Sequence, residues 1–271
     1  MLRAGVLGAP IAHSLSPVLH RTAYAALSLA DWEYTAHEVQ AEELVAFVAR
    51  LDESWRGLSL TMPLKEAAFA VADDVTDVAS RTGAINTLLR RPDGTWLGDN
   101  TDVHGIEAAL AGLLAEVEHR ARATVLGSGA TSRSALQALA HLGFRRVRVA
   151  ARRPVRAAQV GCVAEGDLDV VPVPLGEWPD EDDLLVVSTL APAGGLAAAA
   201  FVPPSRAGVL LDVVYAGWPT PLAAAAERAG MRVVSGLEML VHQAAEQVRL
   251  MTGLEPPVDA MMAAGRARLG R

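Results

Sequence analysis

The chain has very little cysteine and lysine, two residue types that often take part in catalysis. Its 271 residues include a single cysteine, Cys162, and of its 24 basic residues 23 are arginine and only one, Lys65, is lysine. A single cysteine excludes an internal disulfide, which fits a reducing cytosol, and we interpret Cys162 as a small apolar residue. A sequence that uses arginine almost everywhere keeps lysine at one position, and that position requires its own explanation.

Positive charge is not in excess either. Lys and Arg number 24 against 31 Asp and Glu, so the formal net charge is -7. A nucleic-acid-binding domain needs a basic face, so this composition argues against such a partner. With 51% hydrophobic and 20% charged residues, the chain is not composed like a disordered one. The histidines lack the spacing of metal ligands, so no metal site is predicted.

No segment has the pattern of a signal peptide or a membrane span. Gly5, Gly8 and Pro10 interrupt the apolar N-terminal stretch, which is typical of a strand and a turn. The longest uncharged run, Leu184 to Ser205, contains Pro and Gly residues and predicts a buried strand followed by a loop. We therefore expect a cytoplasmic protein without a membrane partner, either a monomer or a homodimer.

Strand-like and helix-like segments alternate along the chain, which predicts an α/β fold with two domains. In the first hundred residues the turn Pro92-Asp93-Gly94 adds one antiparallel hairpin to a βαβ order. From about residue 104 strands and helices alternate steadily, which indicates a doubly wound, Rossmann-like sheet. The predicted domains are 1-103 and 104-236, followed by a last helix that begins near Leu237.

A glycine-rich turn joins a buried strand to an amphipathic helix in the second domain. Its first glycine permits a tight turn, and its second lets the backbone approach a pyrophosphate. The helix N-terminus adds unpaired N–H groups and the positive end of a dipole. An ordinary strand-to-helix turn is the alternative, but the context favours a dinucleotide site. The turn comprises Gly127, Ser128, Gly129, Ala130, Thr131 and Ser132, with Ser132 where a third glycine is usual.

The charges after the second strand of this domain distinguish the two nicotinamide dinucleotides. A NAD site places a carboxylate there, about 20 residues beyond the loop, to bind the ribose 2′-hydroxyl. This chain instead has Arg152, Arg153 and Arg156. Guanidinium groups match a 2′-phosphate in charge and geometry, so we predict NADP (NADPH) rather than NAD. A solvated arginine face is the alternative interpretation.

Four polar clusters fall at loops or element ends in the first domain. Each has an ordinary structural account: Ser16 before Pro17 would cap a helix, and Asp102 could cap the helix near His104. Together they offer hydroxyl, amide, ammonium and carboxylate groups, the set that binds a small polyhydroxylated acid. The clusters are His13-Ser14-Leu15-Ser16-Pro17, Ser59-Leu60-Thr61-Met62-Pro63-Leu64-Lys65, Gly83-Ala84-Ile85-Asn86-Thr87 and Gly98-Asp99-Asn100-Thr101-Asp102.

The order and spacing of these motifs resemble the shikimate dehydrogenase family over nearly the whole chain. The similarity continues through Asp212-Val213-Val214-Tyr215 and Gly236-Leu237-Glu238-Met239-Leu240-Val241-His242-Gln243-Ala244-Ala245. It implies NADP-linked interconversion of 3-dehydroshikimate and shikimate in aromatic amino-acid biosynthesis. It also implies an N-terminal substrate domain, a Rossmann-like NADP-binding domain, and a C-terminal segment, about 237-271, that returns to the substrate domain.

The resemblance implies roles for individual residues. Lys65 and Asp102 correspond to the catalytic pair of the family. The substrate-binding positions are Ser14, Ser16 and Tyr215 for the carboxylate, and Ser59, Thr61, Asn86 and Gln243 for the ring hydroxyls, which Asp102 also contacts. The cofactor-binding positions are Gly127, Ser128, Gly129, Ala130, Thr131, Ser132, Arg152, Arg153 and Arg156, with Thr189, Gly236 and Met239 near the nicotinamide.

Two departures from the family pattern leave alternatives open. The family usually has Asn where this chain has Ser59, which leaves room for a dehydrogenase that prefers quinate or aminoshikimate. Its usual Asn-Ala-Thr-Ser is replaced by Val187-Ser188-Thr189-Leu190, which leaves room for a non-catalytic, NADP-binding regulatory paralogue. The retained Lys65 and Asp102 weigh against the paralogue.

The lone lysine lies in the segment that resembles the family's catalytic motif. Hydride transfer to a carbonyl needs a group that exchanges a proton with the oxygen. The environment can titrate a lysine, whereas an arginine stays charged. We therefore predict that Lys65 is retained because the reaction requires a compact, titratable ammonium group.

Overall fold

A computed structural model describes residues 1–114, 122–161, 168–177, 184–203 and 207–270. The chain divides into two compact units, one formed by Met1–Gly105 with Val241–Arg271 and the other by Ile106–Leu240. The predicted boundaries, after residues 103 and 236, fall in the first turns of two helices that continue from one unit into the next. Cys162 lies outside the described residues.

The first unit is built on a six-stranded mixed sheet with the order β2-β1-β3-β5-β6-β4. Strand β1 is parallel to β2 and β3, β5 is antiparallel to β3 and β6, and β4 is parallel to β6. The predicted hairpin is therefore confirmed as β5–β6. The elements are β1 (Leu2–Gly8), α1 (Ser16–Ala26), β2 (Trp32–Glu38), α2 (Leu44–Val48), β3 (Trp55–Leu60), α3 (Leu64–Ala67), β4 (Asp74–Val75), α4 (Asp77–Thr82), β5 (Thr87–Arg90) and β6 (Trp96–Asp99).

The second unit contains a six-stranded sheet with the order β12-β11-β10-β7-β8-β9, and every pairing in it is parallel. This order confirms the predicted doubly wound α/β class. The helix α5 (Asp102–Leu114) leads into it. The elements are β7 (Arg122–Leu126), α6 (Ala130–His141), β8 (Arg146–Ala151), α7 (Pro154–Gly161), β9 (Asp169–Pro174), β10 (Leu185–Ser188), α8 (Pro192–Ala199), β11 (Val209–Asp212), α9 (Pro221–Arg228) and β12 (Arg232–Ser235).

The chain returns to the first unit through α10 (Gly236–Thr252), and α11 (Val258–Arg268) follows it there. In both units the strands supply the core, because apolar side chains such as Leu7, Leu58 and Val125 are fully buried. Helices pack their apolar faces on these strands, as Leu136 and Leu139 of α6 illustrate. No helix within the described ranges is long and apolar enough to cross a membrane.

The register of the second sheet aligns the carboxyl ends of its central strands. Leu126 of β7 pairs with Ser188 of β10, Ser188 with Asp212 of β11, and Asp212 with Ser235 of β12. The loops that follow these strands therefore leave the sheet at one edge. The winding direction reverses between β7 and β10, and ligands of doubly wound folds bind at such a point.

The prediction of a loop after β10 is wrong, since Pro192–Ala199 forms the helix α8. Its alanines and glycines show almost no amphipathic pattern, so periodicity gave no signal. Pro192 in the first turn is compatible with a helix because an N–H at that position has no intrahelical partner.

Candidate active site

Lys65 and Asp102 form a largely buried ion pair in the first unit. Lys65 belongs to the short helix α3, and Asp102 is the first residue of α5. Lys65 Nζ donates to Asp102 Oδ2 at 2.5 Å, and the side chains are 16% and 6% exposed. The backbone also fixes the lysine, because Ile85 N donates to Lys65 O at 2.8 Å. Burying two charges is costly unless further hydrogen bonds satisfy them, so the neighbours of this pair determine whether it is stable.

Asn86 supplies one of these further hydrogen bonds. Its Nδ2 donates to Asp102 Oδ1 at 2.8 Å, so both carboxylate oxygens of Asp102 have a donor. The amide oxygen of Asn86 accepts from the backbone N–H of Thr101 at 2.8 Å and from Thr87 Oγ1 at 2.7 Å. Because two donors surround the oxygen, the amide is oriented with its NH₂ toward the carboxylate.

Two glutamines of α10 complete the cluster from the C-terminal segment. Gln243 Oε1 lies 3.4 Å from both Asn86 Nδ2 and Thr101 Oγ1. Gln247 Nε2 donates to Thr87 Oγ1 at 2.9 Å and to Asn86 O at 3.3 Å. The sequence prediction included Gln243 and placed Thr87 and Thr101 in its polar clusters without giving them a role, but it missed Gln247. Gln247 follows Gln243 by four residues, so both lie on one helix face, and that spacing is a signal that could have identified it.

Ser59 connects this cluster to Tyr34, a residue that the sequence prediction also missed. The Tyr34 hydroxyl donates to Ser59 Oγ at 2.6 Å, and Ser59 Oγ donates to Gln247 Oε1 at 2.7 Å. Ser59 is 4% exposed and Tyr34 is fully buried. Burial raises the pKa of Tyr34 far above its usual value, so its hydroxyl keeps its proton.

The structure corrects the prediction that Ser16 caps α1. Leu15 occupies the cap position and Ser16 is the first helical residue. The hydroxyl of Ser16 instead lies near the phenol of Tyr34 on β2, where it acts to lower the pKa of that phenol against the larger effect of burial. A tertiary contact to a buried tyrosine has therefore replaced the local contact that sequence predicts.

The remaining predicted substrate residues are separate from the hydrogen-bonded cluster. Ser14 and Thr61 are half-buried in the first unit, and among the described residues neither side chain bonds to the Lys65–Asp102 pair. Ser14 Oγ accepts from Ser16 N at 3.3 Å. Tyr215 follows β11 in the second unit, is half-buried, and has its pKa raised by burial.

The loop that carries Tyr215 is held at both ends by Asp212. This buried carboxylate accepts from Thr220 Oγ1 at 2.6 Å and from Val214 N at 3.3 Å. Burial raises the pKa of Asp212, while its hydrogen bond from Thr220 acts in the opposite direction. The loop therefore has a fixed start and a fixed end.

The glycine turn has the shape that the sequence predicts. Gly127 has φ +118°, and a Cβ there would lie 2.3 Å from Thr189 Oγ1, so only glycine fits. Ser132, in the third position, is fully buried and its Oγ lies 2.7 Å from Thr189 Oγ1. Thr189 Oγ1 donates in turn to Leu126 O at 2.9 Å, and Gly129 N donates to Ser132 Oγ at 3.1 Å. Ser132 and Thr189 thus tie the turn to the end of β10.

A cavity of about 180 Å³ opens beside this turn. Exposed Arg152 and Arg153 follow β8, and exposed Arg156 belongs to α7, so three guanidinium groups meet there. Ala130 and Thr131 begin α6 and do not line the cavity. The lining residues are Gly127, Ser128, Ala151, Arg152, Arg153, Arg156, Thr189, Leu190 and Ala191, of which the sequence prediction missed Ala151, Leu190 and Ala191.

Gly236 and Met239 lie in the first turn of α10 and are not among the residues that line this cavity. A Cβ on Gly236 would lie 2.1 Å from Val213 O, so glycine permits β11 and α10 to approach closely. Met239 is buried. Within the described ranges, His, Cys, Asp and Glu form no group that could hold a metal ion.

The chain is similar in sequence and in structure to several known proteins over nearly its whole length. Shikimate dehydrogenase (NADP(+)) of Methylobacterium radiotolerans is 40% identical over 94% of this chain and 93% of its own length. The crystal structure of Mycobacterium tuberculosis shikimate dehydrogenase has 41% identity and a TM-score of 0.86, over 98% of this chain and 100% of its own. A Thermus thermophilus shikimate 5-dehydrogenase, in complex with NADP(H) and shikimate, has 35% identity and a TM-score of 0.85, over 99% and 100%.

A doubly wound sheet with a glycine turn at its reversal, together with a buried lysine–aspartate pair in a mixed α/β unit, defines a two-unit α/β dehydrogenase. The model of the shikimate dehydrogenase substrate binding domain matches residues 6–88, and that of the shikimate 5′-dehydrogenase C-terminal domain matches residues 236–264. The chain belongs to the shikimate dehydrogenase family.

Proposed function

We propose that this chain catalyses the NADP-dependent, reversible reduction of 3-dehydroshikimate to shikimate. The observation that carries the proposal is the buried Lys65–Asp102 pair, which provides a fixed ammonium group for proton exchange. Family membership supports the reaction, since relatives similar along their whole length are NADP-dependent shikimate dehydrogenases. The Thermus thermophilus relative holds both NADP(H) and shikimate.

Lys65 performs the proton exchange. During reduction its ammonium donates a proton to the oxygen that develops negative charge at C3, and during oxidation the amine accepts that proton. Asp102 accepts a hydrogen bond from Nζ and holds the group in position, while Asn86 fixes the carboxylate from its other oxygen. NADP, when bound, supplies or accepts the hydride.

Polar side chains bind the substrate carboxylate and hydroxyls. Ser14, Ser16 and Tyr215 bind the carboxylate, and the raised pKa of Tyr215 keeps it a neutral donor that does not repel an anion. The ring hydroxyls are bound by residues of the first-unit cluster and its surroundings. These are Thr61, Asn86, Asp102 and Gln243.

The arginine-lined cavity fits the adenosine 2′-phosphate of NADP. Its lining includes three guanidinium groups and no carboxylate among the described residues, so a dianionic phosphate is favoured. The glycine turn and the N-terminus of α6, with Ala130 and Thr131 in its first turn, would bind the pyrophosphate. Gly236 and Met239 would lie beside the nicotinamide.

A spectrophotometric assay tests the proposal. Purified chain with shikimate and NADP+ should form NADPH, with a higher kcat/KM than with quinate, aminoshikimate or NAD+. Absence of shikimate-dependent NADPH formation would favour the regulatory paralogue, and a preference for quinate or aminoshikimate would reassign the substrate. We further propose a cytoplasmic monomer or homodimer, and light scattering of the purified chain distinguishes these two states.

A further inference from the structure

A buried chain of hydrogen bonds leads from Tyr34 to the catalytic carboxylate. Every donor in it points in the same direction, toward Asp102, and the distances run from 2.6 to 2.9 Å. All of its members belong to the first unit. In order they are Tyr34, Ser59, Gln247, Thr87, Asn86 and Asp102.

The direction of this chain is determined at its Asp102 end. The backbone N–H of Thr101 donates to Asn86 Oδ1, and a backbone donor cannot be inverted, so Asn86 Nδ2 must face Asp102. Thr87 Oγ1 donates to the same oxygen, so it must accept from Gln247 Nε2. The Oε1 atom of Gln247 therefore faces away, toward the next member of the chain.

Ser59 and Tyr34 complete the sequence of donors. A serine hydroxyl has one proton, and Ser59 donates it to Gln247 Oε1. The hydroxyl of Ser59 then accepts from Tyr34, whose own proton is retained because its phenol is buried. Ser59 can donate to a ring hydroxyl of a substrate only by leaving Gln247 Oε1 without this donor.

We propose that Tyr34 and Ser59 are positioning residues, which act through Gln247 and Thr87 to hold Asn86 against Asp102. This inference rests on the proposed function, and it assigns Ser59 to the support of the catalytic pair rather than to direct contact with substrate. Buried hydrogen bonds in a connected network strengthen one another, so loss of a distant member weakens the last one.

The molecule supplies a matched control for this proposal. The Tyr34 ring stacks on His20, with centroids 3.9 Å apart and planes at 11°, so Tyr34→Phe removes the hydroxyl while the ring keeps its packing. Tyr24 lies in the same aromatic group and is 3% exposed, but its hydroxyl has no hydrogen-bond partner among the described residues. Tyr24→Phe therefore makes the same chemical change without touching the chain of donors.

The test is a double-mutant cycle measured as shikimate oxidation with NADP+. Tyr34→Phe and Ser59→Ala should each lower kcat about three- to tenfold, because each leaves Asn86 less firmly held. The double variant should be no slower than the slower single variant, whereas Tyr24→Phe should keep the wild-type kcat. Ser59→Ala should change the KM for shikimate less than about twofold. Ser16, a proposed substrate-binding residue, lies near the Tyr34 phenol, so kcat rather than KM is the diagnostic quantity for Tyr34→Phe.

Three results would overturn the proposal. These are wild-type kcat in both single variants, losses in kcat that multiply in the double variant, and a raised KM with unchanged kcat in Ser59→Ala. If Tyr34→Phe does not fold, the kcat and KM of Ser59→Ala still decide the question.

Side-chain amide NMR provides a readout that does not depend on activity. The Asn86 NH₂ signals should shift in Tyr34→Phe and in Ser59→Ala but not in Tyr24→Phe. Wild-type protein without shikimate oxidation would refute the proposed function alone, whereas unshifted Asn86 signals would refute the positioning role alone.

Discussion

The two polar regions of this protein are built in opposite ways. In the first unit the Lys65–Asp102 pair is largely buried, and each carboxylate oxygen of Asp102 accepts a hydrogen bond, one from Lys65 and one from Asn86. In the second unit Arg152, Arg153 and Arg156 are exposed at the rim of a cavity beside a backbone turn.

This difference corresponds to the task that we propose for each region. Proton transfer requires one atom within hydrogen-bond reach of another, so the protein fixes the ammonium group and its carboxylate through buried contacts. Recognition of a phosphate depends mainly on charge and fork geometry, so long side chains on a rigid turn suffice. Substitutions that move or reshape the ammonium group should therefore abolish turnover in the first region. Substitutions that remove positive charge should weaken cofactor binding in the second.

The largest effect is expected at Lys65. Lys65→Arg keeps the charge but removes the compact, titratable group, so kcat for shikimate oxidation should fall by about 1,000-fold or more. Lys65→Ala should have a similar effect on turnover, while shikimate binding, measured by calorimetry, stays within about tenfold. Turnover near the wild-type rate in either variant would remove Lys65 from the mechanism.

The glycine turn should respond next most strongly, and its two glycines should differ. Gly127→Ala places a Cβ against Thr189 at φ +118°, so the free energy of unfolding should fall by about 3 kcal/mol. A Cβ on Gly129 meets nothing within 4 Å, so Gly129→Ala should change the free energy of unfolding by less than about 1 kcal/mol.

Denaturant unfolding followed by circular dichroism measures both changes. Gly129→Ala should nevertheless weaken NADP binding, because the methyl group lies where the backbone approaches the pyrophosphate. Equal stability losses in both variants would contradict the assignment of Gly127 as the conformational requirement.

Charge removal at the cavity should act on the cofactor alone. Arg152→Ala should raise the KM for NADP+ about 10- to 100-fold, the range expected for one charged hydrogen-bonding group. The KM for NAD+, which lacks the phosphate, should change less than about threefold. Arg146, at the opposite end of β8 from Arg152, pairs with Asp169 at 3.2 Å, and Arg146→Ala is the control that should leave both values unchanged. Equal effects of Arg152→Ala on the two cofactors would refute the phosphate site.

The smallest effect concerns His20, which is stacked beneath Tyr34. Burial lowers its pKa from 6.5 to about 3, and its Nδ1 has no partner among the described residues. The unfolded chain takes up a proton at this histidine below pH 6.5 and the folded chain does not. Its contribution to stability is therefore complete above pH 6.5 and is lost as pH falls toward 3.

When the pH is lowered from about 7.5 to 5.5, protonation of this histidine in the unfolded chain should lower the free energy of unfolding by about 1.4 kcal/mol. His20→Phe keeps a stacked ring but removes the titration together with the 3.3 Å contact between Nε2 and Gln247 Oε1, so only the pH dependence is compared. Over the same interval the free energy of unfolding of this variant should fall by about 1.4 kcal/mol less than that of the wild type. Urea unfolding at the two pH values measures the difference. Identical pH dependence in both proteins would show that His20 is not the group responsible.

Much of the candidate site could be predicted from sequence because its residues lie in short, local motifs. Lys65, Asn86 and Asp102 each stand in a distinctive segment, and the structure brings them into one cluster. The glycine turn was predictable for the same reason, since the strand before it and the helix after it are adjacent in the chain. The fold class followed from the alternation of strands and helices.

Other features depended on contacts between distant segments. Ser59 meets Gln247 across 188 positions, and neither local pattern indicates the other. Ser16 has the sequence of a helix cap, but it is the first helical residue and its hydroxyl lies near a buried tyrosine of β2 instead. The helix α8 was missed because its alanines and glycines carry no periodic apolar signal.

The sequence by itself determined which chemical groups are available: one lysine, its aspartate, the amides and hydroxyls of the motifs, and three arginines after a glycine turn. The tertiary structure alone decided which of these groups donate to which. Hydrogen bonds are short and directional, so their pattern exists only after β2, β3, β5 and α10 have packed together.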